Sequence, residues 1–499
     1  MRNLQYLFVA LFLGGFVFLY SSQPTTAART THAETLVKEA ESWGGALKWA
    51  ISIEYIGKVD YPNMDTYNST KVALSEAQKA VSALPESEQK RQLEERLESK
   101  VTIHFKRAMA YIDAITSGKK IQAHKATLHN NIYVYEDIEK TKASYDTLSA
   151  EIRKQAVLLY RVYGKSTRDA ILEEFKDPAE SLLRAVIYEI TVYNALNDVE
   201  GQIAKGVSHP RLEQANIHIK NVKGSSPFWN ELYSGVENAN NTVKMSYAEL
   251  KDLLTQQAKR TGIPPEILKA IAYNETAFTQ FGRNYGPNIS FDNGVGLMQI
   301  TVDSNNSPYD YQRLKFDTAY NIQVGAEILK QKLDYDIPVI NNGDLAFLEN
   351  WYFAILAYNG LSKINDPTIY PATYQQRIYT TISNNSQVNP EALSKDDIMI
   401  TYKENSNIME FGAKMYYQTS RTTKTTQVFE IGETAILKHS VALRSKPTTS
   451  GDFISSLPAG STLKFLGKPE SDNNPSNHFV WYRVSLPNGD EGYVASVSF

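Results

Sequence analysis

Ile263-Pro264-Pro265-Glu266-Ile267-Leu268-Lys269-Ala270-Ile271-Ala272-Tyr273-Asn274-Glu275-Thr276-Ala277-Phe278 decides how the middle of this chain folds. Proline fits the first turn of a helix, where its missing N–H has no partner to lose, so a helix starts at the proline pair. Ile267 and Ile271 share one face of that helix, and Glu275 stands one further i+4 step along it. The apolar stripe therefore ends on a carboxylate. Burial disfavours the charged form, so Glu275 is expected to hold a proton near neutral pH, as a general acid for a glycosidic oxygen must. A lone glutamate can also just close an apolar stripe at a helix terminus, and the helix by itself leaves both readings open.

Three further segments bear on the choice. Gly294-Val295-Gly296-Leu297-Met298-Gln299-Ile300 comes first, then Ala319-Tyr320-Asn321-Ile322-Gln323-Val324-Gly325-Ala326-Glu327-Ile328-Leu329, then Ala354-Ile355-Leu356-Ala357-Tyr358-Asn359-Gly360. In this order and spacing they resemble the soluble lytic transglycosylase (SLT) family, lysozyme-like enzymes that cleave the glycan strands of peptidoglycan. The resemblance runs from near Tyr247 to near Ile382 and implies a mainly α, lysozyme-like catalytic domain over residues 242–383. It implies Glu275 as the catalytic acid, with Thr276, Met298, Gln299, Tyr358, Asn359 and Tyr379 binding substrate, and neither metal nor cofactor. Met298 and Gln299 would line the glycan groove, Gln299 hydrogen-bonding an acetamido group. Tyr358 would stand near the Glu275 carboxyl, and Asn359 would stabilise that corner. Tyr379, in Arg377-Ile378-Tyr379-Thr380, matches the late Tyr-Val pattern of the family with threonine in place of valine. Gly325 inside a helical run costs about 1 kcal/mol relative to alanine, so close helix packing behind the groove is expected there.

The chemistry the resemblance implies needs one carboxylate. Glu275 protonates the leaving oxygen, the N-acetyl group of muramic acid assists departure, and Glu275, now a base, helps the 6-hydroxyl close a 1,6-anhydro ring. Two departures qualify this. Thr276 stands where the family usually has serine, keeping the hydroxyl. The stretch from Phe281 to Asn293 is longer than usual, and Asn293 to Gln299 is similar to goose-type lysozyme, a hydrolase of the same fold. In a two-carboxylate enzyme Asp292 or Asp303 would position a water.

At 499 residues, 42% of them hydrophobic, the chain is long enough for about three domains. Net charge is −3, from 52 Lys and Arg against 55 Asp and Glu, which gives no basic field for nucleic acid. Cysteine is absent, excluding disulfides, cysteine nucleophiles and thiolate metal sites. Met1-Arg2 and the apolar run Leu7 to Tyr20, followed by Thr25-Thr26-Ala27-Ala28, read as a signal peptide or membrane anchor over residues 1–28. Either places the rest of the chain outside the membrane.

Residues 33–223 read as an all-α bundle. Apolar positions recur at threes and fours from Leu93 through Leu97, Val101, Phe105, Met109 and Ile112, and again in Ile152 to Tyr160 and Ser181 to Tyr188. His104, His124 and His129 are dispersed. Tyr163-Gly164-Lys165-Ser166-Thr167-Arg168-Asp169-Ala170 lacks the upstream glycine of a phosphate loop. This region is similar to rod-like helical bundles of surface-layer proteins, which implies a spacer or a polymer-binding arm. Gly224-Ser225-Ser226-Pro227 and Gly235 to Asn241 read as a linker into the catalytic part. Residues 384–427, from the Ser383-Asn384-Asn385-Ser386 run to the polar tract ending at Thr426, read as a second linker, with a short helix expected from Ile408 to Tyr417.

From 428 to 499 short β-rich runs alternate with turn residues, which predicts a small all-β barrel. Leu443-Arg444 to Pro447, Leu457 to Gly460, Trp481-Tyr482-Arg483-Val484 and Gly492-Tyr493-Val494 resemble the bacterial SH3-like domain. That resemblance implies binding to wall peptide, either cross-bridges or stem peptides. Trp481 is expected in the barrel core.

The expectation is a secreted, cell-wall-associated lytic transglycosylase that cuts the β-1,4 bond between N-acetylmuramic acid and N-acetylglucosamine. Its partners would be glycan strands and wall peptide, with no nucleic acid and a membrane only through the N-terminus. The alternatives are a goose-type muramidase and an inactive wall-binding scaffold. The architecture leans towards a Gram-positive-type envelope.

Overall fold

The computed structural model describes residues 25–303 and 306–499. The segment read as a signal peptide or anchor lies outside the described residues except at its end, where the Thr25 hydroxyl caps a helix, Thr26–Ala50. Among the described residues no helix is long and apolar enough to cross a membrane. The chain divides into two compact units, residues 1–187 and 188–499. As the sequence predicts, the N-terminal region is all helical, the middle mainly α, and the C-terminal region a β sheet.

The first unit is built on long helices, Thr26–Ala50, Met64–Ser82, Ile103–Tyr133 and Ile138–Tyr160. Asn63 and Asp137 cap two of them by accepting from backbone N–H groups that the helix leaves unpaired. Small residues set the spacing. Ala33, Val37 and Ala40 meet Ala73, Leu74, Ala77 and Val81. A Cβ on Gly118 would come within 2.2 Å of the Phe175 ring. The Gly-Lys-Ser stretch opens only the short helix Lys165–Ile171, with Gly164 at φ +90°.

Two linker expectations are overturned in the second unit. Gly235 to Asn241 lies within the helix Trp229–Val243, whose Leu232, Val236, Ala239 and Val243 are buried. Their i, i+4, i+7, i+11 spacing is helical, and the glycine and asparagines between them concealed it. Ala239 and Val243 join Val199 and Leu212, with Phe281 and Tyr285 packed against them. The division between the two compact units falls at Ile187/Tyr188.

Residues 384–427 are likewise no free tether. Leu393, Ile398, Met409, Phe411 and Tyr417 are part of the same core as Ile267, Ile271 and Trp351. The short helix expected from Ile408 to Tyr417 is replaced by two-residue strands. Met409–Glu410 pairs antiparallel with Thr401–Tyr402, and Tyr416–Tyr417 runs parallel to Val339–Ile340. Met409 and Phe411 are buried while Ile408 and Glu410 are exposed, a period of two that suits a strand.

The C-terminal sheet has six strands, with neighbours in the order Thr434–Ile436, Thr462–Phe465, Trp481–Ser485, Glu491–Ala495, Val441–Arg444 and Phe453–Leu457. Leu443, Leu463, Phe465, Tyr482, Val484 and Val494 fill its interior. Trp481 is buried with Phe479 and Ala495. Truncating Phe411, at 2% exposure and stacked edge-on to Phe353 at 5.3 Å, is expected to cost about 3–5 kcal/mol. Chemical denaturation of Phe411→Ala checks this, since a true linker would tolerate the change.

Candidate active site

The helix Pro265–Thr276 starts on Pro264 and Pro265 as the sequence predicts, and every residue from Pro265 to Ala272 is buried. It stops because Ala277 and Phe278 turn left-handed, at φ +51° and +63°. This leaves Glu275 in the last turn, partly buried, where Tyr374 Oη donates to Glu275 Oε1 at 2.5 Å. Burial raises the Glu275 carboxyl above its ordinary value, and the charge of Asp292 pushes the same way. The Tyr374 hydrogen bond and the Arg377 charge oppose them and do not cancel the rise. Such a carboxyl can give up a proton and take one back. Tyr374 is buried, and its own hydroxyl is held well above the usual phenol range, first by burial and then by Glu275.

The segment Gly294–Ile300 lies against this helix end with little regular secondary structure, so buried side-chain amides satisfy its backbone. Gln280 Oε1 accepts from Leu297 N at 2.8 Å while its Nε2 donates to the Leu314 and Lys315 carbonyls. Asn321 Oδ1 accepts from Met298 N at 2.8 Å while its Nδ2 donates to the Val295 and Leu314 carbonyls. Gly296 makes this possible. Its φ is +72°, and a Cβ there would stand 2.3 Å from Asn321 Nδ2.

The expected site residues divide among three roles. Thr276 is a tie: its Oγ1 donates to the Leu297 carbonyl at 3.0 Å and accepts from Thr279 N at 3.1 Å. Met298 is fully buried, and a Cβ on Gly325 would stand 2.7 Å from its Cβ. Its side chain therefore fills the floor under the groove and offers no surface to a sugar, and Gly325 has the close packing expected of it. Tyr358 Oη donates to the Met298 carbonyl at 2.9 Å. Tyr358 is close enough to Glu275 for the carboxylate charge to raise its hydroxyl further, after burial. Gln299, at φ +50°, is partly exposed and donates to the Gly296 carbonyl at 2.8 Å. Asn359 is exposed and accepts from Asn365 Nδ2 at 3.0 Å.

Tyr379 is the misplaced one. It is buried, and its hydroxyl donates to the Leu348 and Glu349 carbonyls at 2.9 and 3.2 Å, away from Glu275. The tyrosine that reaches the carboxyl is Tyr374, on the same helix, Tyr374–Thr381. Five residues turn a helix by about 140° beyond a full turn, so the two rings cannot share a face. The sequence pattern pointed to this helix but not to the face that meets Glu275. Of the two flanking aspartates, Asp292 is the one whose charge acts on Glu275. It is exposed, and a hydrogen bond from Ser290 holds it below its ordinary value. Beside it Phe291 is fully exposed. The tip is a tight turn in which Ser290 N donates to the Gly294 carbonyl and Asn293 N to the Ser290 carbonyl.

Comparison with known proteins supplies the family context. Residues 252–377 match the Transglycosylase SLT domain and residues 439–498 the Bacterial SH3 domain, so the chain carries these two domains in that order. Residues 48–180 match the SbsC C-terminal domain. An S-layer protein of Geobacillus stearothermophilus is 34% identical over 100 residues, which are 20% of this chain and 8% of that protein. The chain thus spans under a tenth of the length of that curated relative. Among solved structures, domains 1–6 of the surface layer protein SbsC align at 22% identity and a TM-score of 0.35, covering 42% of this chain and 31% of that one. The S-layer protein rSbsC(31-844) aligns at 15% identity and a TM-score of 0.35, covering 94% and 65%.

Because the folded protein raises the Glu275 pKa, it binds that proton more tightly than the unfolded chain does. Stability is therefore lost as pH rises from the ordinary value of 4.5 through the folded pKa. Glu275→Gln is expected to melt at a higher temperature than the parent at pH 7.5, with the difference shrinking at pH 4. Paired thermal melts check the sign.

Proposed function

We propose that this chain is a peptidoglycan lytic transglycosylase acting outside the membrane, at the cell wall. The observation that carries the reading is the Glu275–Tyr374 pair at the end of the buried helix, within the segment that matches the SLT domain. Glu275, whose carboxyl burial raises above its ordinary value, gives its proton to the glycosidic oxygen. The N-acetyl carbonyl of muramic acid closes on C1 as that bond breaks. The Glu275 carboxylate, stabilised by the Tyr374 hydroxyl, then takes the proton from O6, which attacks C1 and releases the N-acetyl group. The product is a 1,6-anhydro end, and no water is consumed. Gln299 is suited to meet an acetamido group, and Phe291 to stack on the apolar face of a sugar ring.

One observation favours a second reading. Asp292 is ionised and acts on Glu275, so it could orient a water and make the enzyme a goose-type muramidase. Mass spectrometry of glycan digests decides. Products one water lighter than the hydrolytic ones support the transglycosylase, and exclusively reducing muramic ends refute it. An inactive scaffold would give neither.

The SH3-like domain would hold wall peptide, for which its Arg444, Phe479 and Trp481, with Gln387 from the preceding segment, line a cavity of about 460 Å³. The helical unit would serve as spacer or polymer-binding arm.

Glu275→Gln is expected to lose turnover by at least about 100-fold, the usual weight of a general acid, while wall binding persists. Tyr374→Phe is expected to lower kcat about 10- to 100-fold, the cost of one hydrogen bond to a charged group. It should also move the alkaline-limb pKa of the rate profile, where the general acid loses its proton, upward, since the bond it removes lowers the Glu275 pKa. Phe291→Ala is expected to raise KM several-fold with unchanged melting temperature, because a fully exposed ring adds nothing to folding. Steady-state kinetics on soluble glycan fragments measure all three.

A further inference from the structure

We propose that His478, in the C-terminal β region, is a positioning residue that holds Glu275 and Tyr374 in register. This rests on the reading of Glu275 as the general acid.

The two groups sit on different helices, Pro265–Thr276 and Tyr374–Thr381, yet their oxygens must stay 2.5 Å apart. On one side the helices are tied by Asn274 Nδ2, which donates to Thr381 Oγ1 at 2.7 Å. A second tie comes from His478, which is completely buried. Its N–H donates to the Asn385 carbonyl at 2.8 Å, in the turn Ile382–Ser386 that continues the Tyr374 helix. Its carbonyl accepts from Lys269 Nζ at 3.0 Å, on the Glu275 helix. One residue thus bonds to both elements through its backbone.

The imidazole ring completes the contact. It meets Tyr273 at 5.0 Å and 68°, and Phe278 at 5.2 Å and 67°, both edge-on. Tyr273 and Phe278 flank Glu275 in the sequence, so the ring packs against the end of the helix from which Glu275 projects. The ring is uncharged, because burial and the charges of Lys269 and Lys251 push the imidazole down to about 3. Nε2 lies 3.2 Å from the Pro475 carbonyl, which calls for the tautomer with its proton there. The loop behind the ring is itself fixed. Lys251 Nζ reaches Asp472 Oδ1 at 3.2 Å and the carbonyls of Asn474 and Asn477 at 2.8 and 2.7 Å. Trp481 Nε1 donates to Asp472 Oδ2 at 3.3 Å.

A ring held this firmly is a wedge. Misplacing a catalytic group by about 1 Å costs roughly 100-fold in rate, so loss of the wedge should be read in kcat. The contacts of the His478 ring are with Tyr273, Phe278 and the Pro475 carbonyl, so it acts on Glu275 through the helix end. This gives the C-terminal sheet a second role beside any contact with the wall: it completes the support of the cutting site.

The test uses the full chain on soluble glycan fragments. His478→Ala is expected to lower kcat about 10-fold or more with KM within twofold of the parent, and His478→Phe, which restores a ring of similar reach, to recover most of kcat. Tyr273→Leu removes the ring that the His478 imidazole meets at 5.0 Å and touches no buried charge, and is expected to lower kcat in the same way; it serves if the alanine variant does not fold. A folded His478→Ala chain with parental kcat overturns the proposal, as does a change confined to KM. Glu275→Gln runs alongside. Full turnover by that variant refutes the general-acid reading itself, whatever His478 variants do.

Discussion

A helix buried on every side must find partners for whatever charge it carries, and Pro265–Thr276 carries charge on the side away from the site. Glu266 and Lys269 are both inaccessible to solvent. Glu266 accepts from Thr425 Oγ1 at 2.8 Å and Thr426 N at 3.1 Å, and Lys269 donates to Gln427 Oε1 at 2.7 Å. Burial pulls each towards its neutral form, the carboxyl up and the ammonium down. Polar contacts of this kind add little net stability over apolar packing of the same volume, but breaking one costs a great deal. They therefore fix register, and here the chain leading into the β region can meet the helix in only one place. Tyr482 extends the arrangement, its hydroxyl donating to the Thr426 carbonyl at 3.2 Å.

The site in front of that helix is built with the same economy. A segment that must curve around a carboxyl cannot also form a ladder, so Gln280 and Asn321 supply the donors and acceptors that a neighbouring strand would have given. Each amide makes three bonds and leaves no room for a Cβ at Gly296. Thr276 and Tyr358 then pin the same segment through the carbonyls of Leu297 and Met298. Most of the residues that a family pattern would assign to substrate are thus occupied in holding the groove's shape, and Gln299 and Asn359 retain exposed surface.

Legibility followed periodicity. Glu275 stood out because an i, i+4 stripe ended on it, and Gly325 because glycine in a helix needs a reason, which Met298 provides. The β region was readable from alternation and turn residues. Composition misled where it hid a period: glycine and asparagine around Gly235 to Asn241 masked a helix, and the polar run after Ser383 masked strands that bury Met409 and Phe411. Tyr374 was out of reach because no local pattern says which of two tyrosines on one helix turns towards a carboxyl far away in sequence. The contacts of Lys251 and Lys269 were equally hidden, since a lysine on a helix is ordinarily solvated and only the distant partners reveal otherwise.

The interior behind Glu275 is assembled from residues that lie far downstream of it, among them Thr426, Gln427 and His478. A chain is made from its N-terminus onward. The carboxyl, its helix and most of its groove exist on the nascent polypeptide well before the strands that back them. Until those residues are made, Lys269 and Glu266 lack the partners that satisfy them in the finished fold. The surroundings of Glu275 are in this way left structurally unfinished until the last part of the chain has been made.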